Sequence, residues 1–182
     1  MGASAGIHIV DDAVHGSDAL ATSALLAEAI KRATPDLVIC GMASTDGTMG
    51  VIPAMVAERL GWPAVTLGAT LSVADNRVTI RRDDDVASST IEAELPAIVS
   101  VTDQSGEARY PSMRGILAAK KKPVETWTLA DLGIDASAVG LDAAWSKVLQ
   151  TTPRPAKEPG RVVDEEAGTS AFIDFLTAGK YI

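Results

Sequence analysis

A loop of small and hydroxyl-bearing side chains follows an apolar run in the first third of the chain. Residues 41–50 read Gly-Met-Ala-Ser-Thr-Asp-Gly-Thr-Met-Gly, and three of them are glycines that let the backbone approach a ligand closely. Ser44, Thr45 and Thr48 add hydroxyl donors. The loop lies between a predicted strand and a predicted helix, where free amide N–H groups and a partial positive charge favour phosphate. These residues therefore suit the binding of an anionic ligand.

The same loop lacks the residues that hydrolyse a nucleotide. Asp46 would repel a phosphate, so we expect it to cap the loop or to reach a ribose hydroxyl. Neither Gly-Lys-Ser/Thr nor Gly-x-Gly-x-x-Gly spacing occurs, and no lysine is placed to stabilise a transferring phosphoryl group. We predict that the loop holds a nucleotide without hydrolysing it. The loop residues alone leave a second interpretation open, a plain strand-to-helix turn.

A basic and apolar run, residues 109–122, is unusual in a chain whose net charge is −8. Ser112 could cap a short helix that exposes Met113, Ile116 and Leu117. The lysines at 120–122 would then lie at the helix C-terminus, where positive charge is favourable. An exposed methionine beside cations suits a transient protein contact. The alternative is a solvated basic helix end whose apolar side faces the core.

Other reactive side chains have no partner at catalytic or metal-binding spacing. His8 and His15 lack a cysteine or second histidine at ligand spacing, and the three aspartates 83–85 lack the EF-hand pattern. Ser112 and the hydroxyls of the 41–50 loop have no evident histidine base. We interpret Cys40 as a buried, inert thiol. We therefore expect no metal site and no catalytic residue.

The composition predicts a globular α/β protein. The chain is 47% hydrophobic but only 4% aromatic, so its core is built from Ala, Val, Ile and Leu, which suits a parallel sheet.

The negative net charge argues against nucleic acid as a partner. A single cysteine excludes an internal disulfide and favours a reducing compartment. No apolar run reaches the roughly 18 residues of a membrane span. The first residues also lack a signal-peptide pattern, so we expect a cytoplasmic protein.

Apolar and amphipathic segments alternate along the first part of the chain. They predict a buried strand at 6–10 and then a helix to about residue 33, capped by Ser17 or Asp18, with an apolar face of Leu20, Leu25, Leu26 and Ile30. A strand at 37–40 buried on both faces, a helix at about 50–60 and a strand at 63–67 follow. This order indicates right-handed βαβ units in a parallel sheet.

The pattern changes in the second part. Segments 70–73 and 77–82 flank a turn and predict a hairpin, with a third antiparallel strand at 90–95 and a buried strand at 97–101. The chain beyond residue 103 is loop-rich. Three prolines within 151–160 predict an extended arm, and a short helix at about 171–178 carries Phe172, Phe175 and Leu176.

These signals occur together in one known family. The chain resembles the β subunit of an electron-transfer flavoprotein (ETF) along nearly its whole length. The matching segments, in order, are Gly6-Ile7-His8, Asp36-Leu37-Val38 with Gly41, Asp46, Gly47 and Gly50, Leu95-Pro96-Ala97-Ile98-Val99-Ser100, Glu107-Ala108-Arg109-Tyr110-Pro111, Ala119-Lys120-Lys121-Lys122 and Asp131-Leu132-Gly133-Ile134.

The resemblance implies a fold, a domain layout and a nucleotide. The implied fold is a Rossmann-like parallel sheet with flanking helices, of the adenine-nucleotide α-hydrolase type, with a small antiparallel hairpin region. Residues 1–149 would form the nucleotide-binding domain, and residues 150–182 an extended arm and terminal helix that dock on the α subunit.

In the family, a loop binds structural AMP largely through main-chain groups, and a second FAD replaces AMP in bifurcating relatives. The matching residues are Gly41, Met42, Ala43, Ser44, Thr45, Asp46, Gly47, Thr48, Met49, Gly50, Val51 and Ile52.

The resemblance also implies electron transfer through partners. FAD, held mainly by the α subunit of a heterodimer, would accept electrons from acyl-CoA and other flavin dehydrogenases, as in fatty acid β-oxidation, and pass them to a membrane ETF-quinone oxidoreductase. Residues 103–122 match the recognition loop, with Met113 at the place of an anchoring leucine and Ala118 at the place of a lysine. The implied docking residues are Arg109, Tyr110, Met113, Ile116, Leu117, Lys120, Lys121 and Lys122.

The chain departs from the family at its start. Family β subunits have an N-terminal portion ahead of the point matched by Met1, with a strand and further contacts to the nucleotide and the flavin. We therefore expect a fragment or a misplaced start codon, and we predict that this chain alone binds AMP weakly and carries no FAD.

Two other functions fit parts of the sequence. One is a non-redox sensor or stress-type module that binds an adenine nucleotide. The other is an adenylyl- or phosphoryl-transfer enzyme, which the missing lysine and histidine make the weakest of the three.

Overall fold

Three parallel strands form the sheet that carries the candidate loop. The structure is a computed structural model that describes residues 1–157, 159–160 and 162–182. Strands β2 (Leu37–Cys40) and β3 (Ala64–Gly68) each pair in parallel with β7 (Ala97–Val101), which lies between them. Because the three strands are parallel, their carboxyl ends meet at one edge of the sheet.

The remaining elements complete an α/β fold. A second parallel pair joins β1 (Gly6–Ile9) to β8 (Val124–Trp127), and an antiparallel sheet contains β4 (Thr70–Ala74), β5 (Arg77–Asp83) and β6 (Ser88–Glu94). The helices are α1 (Ala19–Ala33), α2 (Ile52–Leu60), α3 (Met113–Ala119), α4 (Leu129–Leu132), α5 (Gly140–Ala143) and α6 (Glu165–Ala178). A parallel sheet with flanking helices and a separate antiparallel sheet confirms the predicted fold class.

Helix α1 is buried along two stripes. Its N-cap is Asp18, one of the two predicted candidates, and the carboxylate accepts a hydrogen bond from the Ala21 amide at 3.1 Å. One stripe, which includes Leu25, packs in a cluster with Trp127 of β8. The other contains Ser23, which is fully buried. The prediction that Leu20 belongs to the buried face is wrong, because this side chain is 40% exposed.

Strands β1 and β2 are more exposed than their apolar sequences predicted. Ile39 in β2 is 57% exposed and Ile7 in β1 is 46% exposed. Among the described residues each of these strands has one hydrogen-bonded neighbour, so each is an edge strand with an open long side. The prediction that both are buried is therefore wrong. Strand β7 has neighbours on both sides, and Ile98 and Val99 are fully buried in it.

The antiparallel sheet begins with the predicted hairpin. Asp75 and Asn76 connect β4 to β5 with φ values of 49° and 60°, the left-handed conformation that tight hairpin turns require. Val78 and Ile80 of β5 are fully buried in a cluster with Val65 of β3. The hairpin prediction is confirmed, and its apolar face covers part of the parallel sheet.

The last part of the chain differs from its predicted elements. Strand β8 lies in the region predicted to be loop, and α6 begins at Glu165, well before the predicted start at residue 171. Asp164 caps α6 by accepting from the Ala167 amide at 2.8 Å. The chain divides into two compact units, Met1–Lys147 and Val148–Ile182. Residues 151–157 of the predicted arm have no regular secondary structure, and Glu158 lies outside the described residues.

Candidate functional site

The candidate nucleotide loop leaves β2 at the carboxyl edge of the parallel sheet. All ten residues from 41 to 50 are exposed. The Thr48 amide donates to the Ser44 carbonyl oxygen at 3.1 Å and closes a turn at the loop tip. Gly50 has a φ of 66°, and a Cβ placed on it would lie 3.3 Å from the Met42 carbonyl oxygen. Gly50 thus permits a left-handed backbone where the two ends of the loop approach each other.

The helix that follows the loop begins without a side-chain cap. Val51 precedes α2 and provides no side-chain hydrogen bond, and Pro53 lies in the first turn. The first N–H groups of a helix have no carbonyl partner within it. Pro53 has no N–H, and the Met55 amide donates to the Val51 carbonyl oxygen at 3.0 Å. The amides of Ile52 and Ala54, with the positive end of the helix dipole, are therefore the donors that this turn can offer to an anion.

Asp46 is held within the loop by neighbouring groups. Its carboxylate accepts from the Gly47 amide at 2.7 Å. The Ser44 hydroxyl, followed by the Gly47 amide, holds the pKa of Asp46 below its usual value. The carboxylate therefore stays ionised at neutral pH. This arrangement supports the expected role of Asp46 in capping the loop. No lysine or arginine occurs between Arg32 and Arg59, so this segment offers a phosphate only neutral donors.

Side chains of neighbouring strands support this edge, and the sequence did not identify them. The fully buried Ser100 of β7 accepts from the Leu67 amide at 2.9 Å, and Leu67 has a φ of 64° where the register of β3 is irregular. Ser100 lies in an apolar run and its partner is 33 residues away, so no local signal marked it. Burial raises the pKa of the half-buried Cys40 thiol, which therefore stays protonated.

The candidate docking segment is an exposed short helix, as predicted. Ser112 caps α3 by accepting from the Gly115 amide at 3.1 Å. No residue of α3 is buried, and Met113 is 73% exposed. Leu117 and Ile116 are exposed to 57% and 39%, and the preceding Tyr110 to 99%. The alternative in which the apolar side of this helix faces the core is therefore wrong. Arg109 and the lysines at 120–122 are exposed on the same segment.

The two candidate regions are separate in their contacts. Within the part of the chain that the structure describes, no hydrogen bond joins residues 41–52 to residues 109–122. The same described residues contain no group of three or more His, Cys, Asp or Glu side chains that could hold a metal ion. Every helix among them is too short or too polar to traverse a lipid bilayer.

The fold and its open edge belong to a broad class of α/β proteins. In that class, ligands bind outside the carboxyl ends of parallel strands, often at a helix N-terminus. A family model described as the electron transfer flavoprotein domain matches residues 1–132. The chain therefore belongs to the electron transfer flavoprotein family, and the resemblance seen in the sequence is confirmed.

Curated relatives named electron transfer flavoprotein subunit beta match the chain from end to end. The chain is 46% identical to the protein from Mycobacterium leprae and 44% identical to that from Mycobacterium tuberculosis strain H37Rv, in each case over 100% of this chain and 69% of the relative. It is also 32% identical to the caffeyl-CoA reductase-Etf complex subunit CarD of Acetobacterium woodii, over 90% of this chain and 63% of that protein.

Proposed function

We propose that this chain is the β subunit of a heterodimeric electron carrier and has no catalytic residues of its own. FAD, bound mainly by the α subunit, stores the electrons, which come from acyl-CoA and related flavin dehydrogenases and pass to a membrane quinone reductase. The observation that carries this proposal is the similarity to named β subunits over 100% of the chain. The proposed setting is fatty acid β-oxidation in the cytoplasm.

A CoA-thioester oxidoreductase is the proposed kind of electron donor. The relative from Acetobacterium woodii is named as a subunit of a caffeyl-CoA reductase-Etf complex, which joins an ETF-type subunit to an enzyme of this chemistry. This name supports a CoA-thioester oxidoreductase as the redox partner of the present chain, and we propose that an acyl-CoA dehydrogenase is the donor.

The loop at residues 41–52 is the proposed site of a structural AMP. Its exposed backbone and the uncapped start of α2 suit a phosphate that is bound by main-chain N–H groups. A monophosphate is the better match to a segment without cations, since each further phosphate adds negative charge that neutral donors do not offset. FAD is the alternative occupant and would make the carrier a bifurcating type.

The segment around α3 is the proposed docking site for the dehydrogenase. A capped helix without buried residues presents Met113 and Leu117 to solvent, and cations lie before and after them. Apolar anchors of this kind supply most of the energy of an interface, while surrounding charges speed encounter. In unit Val148–Ile182, Phe172 and Phe175 of α6 are each 62% exposed, which supports α6 as a contact with the α subunit.

Co-purification tests the electron-carrier proposal as a whole. The chain is co-expressed with an ETF α subunit from the same organism, purified through a tag on the chain, and examined by visible absorbance and size-exclusion chromatography. We expect a yellow heterodimer that an acyl-CoA dehydrogenase reduces in the presence of its substrate. A colourless homodimer that changes conformation on addition of ATP would instead support the non-redox sensor.

Gly50 tests the nucleotide loop. Gly50→Ala forces a left-handed conformation on a residue with a Cβ, at a cost of about 1–2 kcal/mol, so we expect roughly tenfold weaker AMP binding by the heterodimer in calorimetry. Gly61→Ala is the matched control, because Gly61 has a φ of 65° outside the loop and a Cβ there meets nothing within 4 Å. Equal AMP affinities for Gly50→Ala, Gly61→Ala and the wild type would remove this loop from the nucleotide site.

Met113 tests the docking segment. Met113→Ala removes an exposed apolar anchor, so we expect at least about fivefold slower reduction of the carrier by its dehydrogenase, with unchanged AMP content. Val86→Ala is the control, since Val86 is 94% exposed between β5 and β6, outside this segment. If Met113→Ala and Val86→Ala give the same rate as the wild type, the docking assignment fails.

A further inference from the structure

The thioether of Met113 is openly accessible to small solutes. This side chain is 73% exposed on a helix that buries none of its residues. Met1 is equally exposed, Met42 and Met49 in the nucleotide loop are exposed to 52% and 65%, and Met55 of α2 is half-buried. Oxidation of methionine by peroxide follows exposure of the sulfur. Met113 is therefore placed to react, and a dehydrogenase would cover it only during each encounter.

We propose that Met113 is an oxidation site and that its conversion to methionine sulfoxide weakens docking of the electron donor. This proposal rests on the docking function proposed above. The co-reactant is a hydroperoxide. The Met113 sulfur attacks one peroxide oxygen, the O–O bond breaks, and the products are the sulfoxide and water when the oxidant is hydrogen peroxide. Sulfur loses two electrons and the peroxide gains them.

The surroundings of Met113 make the sulfoxide costly to bury. Residues three and four positions further along a helix are its neighbours on the helix surface, and here they are Ile116 and Leu117. Neither side chain can donate a hydrogen bond to the sulfoxide oxygen. A polar group that enters an apolar interface without a partner loses its hydration and gains nothing in return. The oxidised anchor would therefore fit an apolar pocket on the dehydrogenase less well.

Leucine at this position provides a matched variant. Met113→Leu keeps the volume and apolar character of the side chain but removes the sulfur. The effect of peroxide is therefore measured as the ratio of the treated to the untreated rate, separately for the wild type and for this variant. Met42 and Met49 remain in this variant. Damage at the nucleotide loop would therefore appear equally in the wild type and in Met113→Leu.

The experiment treats the FAD-loaded heterodimer with hydrogen peroxide. Sulfoxides are located by peptide mass spectrometry, and the initial rate of reduction by an acyl-CoA dehydrogenase is measured at limiting carrier concentration. We expect a roughly tenfold lower rate for the treated wild type, an unchanged rate for treated Met113→Leu, and recovery of the wild type with methionine sulfoxide reductase.

Two results would overturn the proposal. In one, the wild type and Met113→Leu lose activity in parallel, which would assign the damage to another methionine or to the flavin. In the other, Met113 stays unmodified while Met42 and Met49 are oxidised. A rate unaffected by Met113→Ala would contradict the docking assignment itself, so failure of the oxidation site and failure of the proposed function are distinguishable.

Discussion

At the scale of single residues, Asp18 joins two segments that are far apart in the sequence. One carboxylate oxygen accepts from the Ala21 amide at 3.1 Å and caps α1. The other accepts from the Trp145 amide at 2.8 Å and the Ser146 amide at 3.3 Å. These hydrogen bonds, with that of Ala21 the largest contribution, hold the pKa of Asp18 below its usual value. The ionised carboxylate thus fixes the end of the first compact unit to the start of α1.

Asp18→Ala should lower the free energy of unfolding at pH 7 by about 1–2 kcal/mol, because the cap and the contact with Trp145 are both lost. Asp18→Asn should cost less, since asparagine is also a good cap. A depressed folded-state pKa stabilises the fold above the usual value of 3.8, and this contribution disappears as the pH falls through the lower folded value. Urea denaturation between pH 7 and pH 3 measures the difference.

The control for Asp18 is Asp36→Ala. Asp36 is exposed directly before β2, so its removal changes the net charge equally without removing a helix cap. The account of Asp18 would be wrong if Asp18→Ala destabilised the chain equally at both ends of the pH range.

The N-cap could be predicted from the sequence because a cap acts on the amide three residues away. The contact with Trp145 could not, because 127 residues separate the two partners.

At the scale of elements, α2 is positioned by a polar contact with α1. The Arg59 guanidinium donates from Nε to the Ser23 hydroxyl oxygen at 2.9 Å and from Nη2 to the Leu20 carbonyl oxygen at 3.0 Å. Ser23 is fully buried and also donates to the Leu20 carbonyl. Because Arg59 lies in the last turn of α2, this contact fixes the helix whose opposite end follows the nucleotide loop.

The open side of β2 gives a second prediction at this scale. Ile39→Lys should change the free energy of unfolding by no more than about 0.5 kcal/mol, because Ile39 is 57% exposed on an edge strand. Val99→Lys is the matched variant, since Val99 pairs in register with Ile39 but is fully buried, and its loss should exceed about 4 kcal/mol. Equal losses in urea denaturation would mean that the edge of β2 is covered in solution.

At the scale of the whole molecule, charge is unevenly distributed along the chain. The net charge is −8, yet residues 103–122 contain five basic and two acidic side chains. Replacement of Lys120, Lys121 and Lys122 by Gln should slow reduction by the dehydrogenase at low salt, by up to about tenfold, because steering by opposite charges is lost. The rate of this variant should also depend less on ionic strength than that of the wild type.

A matched control removes three exposed cations elsewhere. Lys31, Arg77 and Arg81 each pair with a carboxylate on the surface, so their replacement by Gln gives the same change in net charge outside the docking segment. Stopped-flow reduction from 10 to 300 mM salt compares the variants, a range over which the Debye length shortens severalfold from about 30 Å. Identical salt slopes for the two triple variants would show that net charge, and not the docking segment, controls encounter.

Features that depend on residues a few positions apart could be predicted from the amino-acid sequence alone. They are α1 with a cap at Ser17 or Asp18, of which the structure has Asp18, the hairpin turn at Asp75 and Asn76, and α3 with its Ser112 cap. Local hydrogen bonds and backbone preferences decide such elements, so residue types at short spacing are sufficient. The family could also be identified from the sequence, because the matching segments follow one another along the chain in the family's order.

The folded chain as a whole decides which strands become neighbours. It placed β7 between β2 and β3, paired β8 with β1, and left Ile39 exposed although its strand reads as apolar throughout. Burial of a four-residue strand depends on how many strands and helices cover it, and those neighbours come from distant parts of the chain. For the same reason, the contact of Ser100 with Leu67 beside the nucleotide loop is visible only in the folded chain.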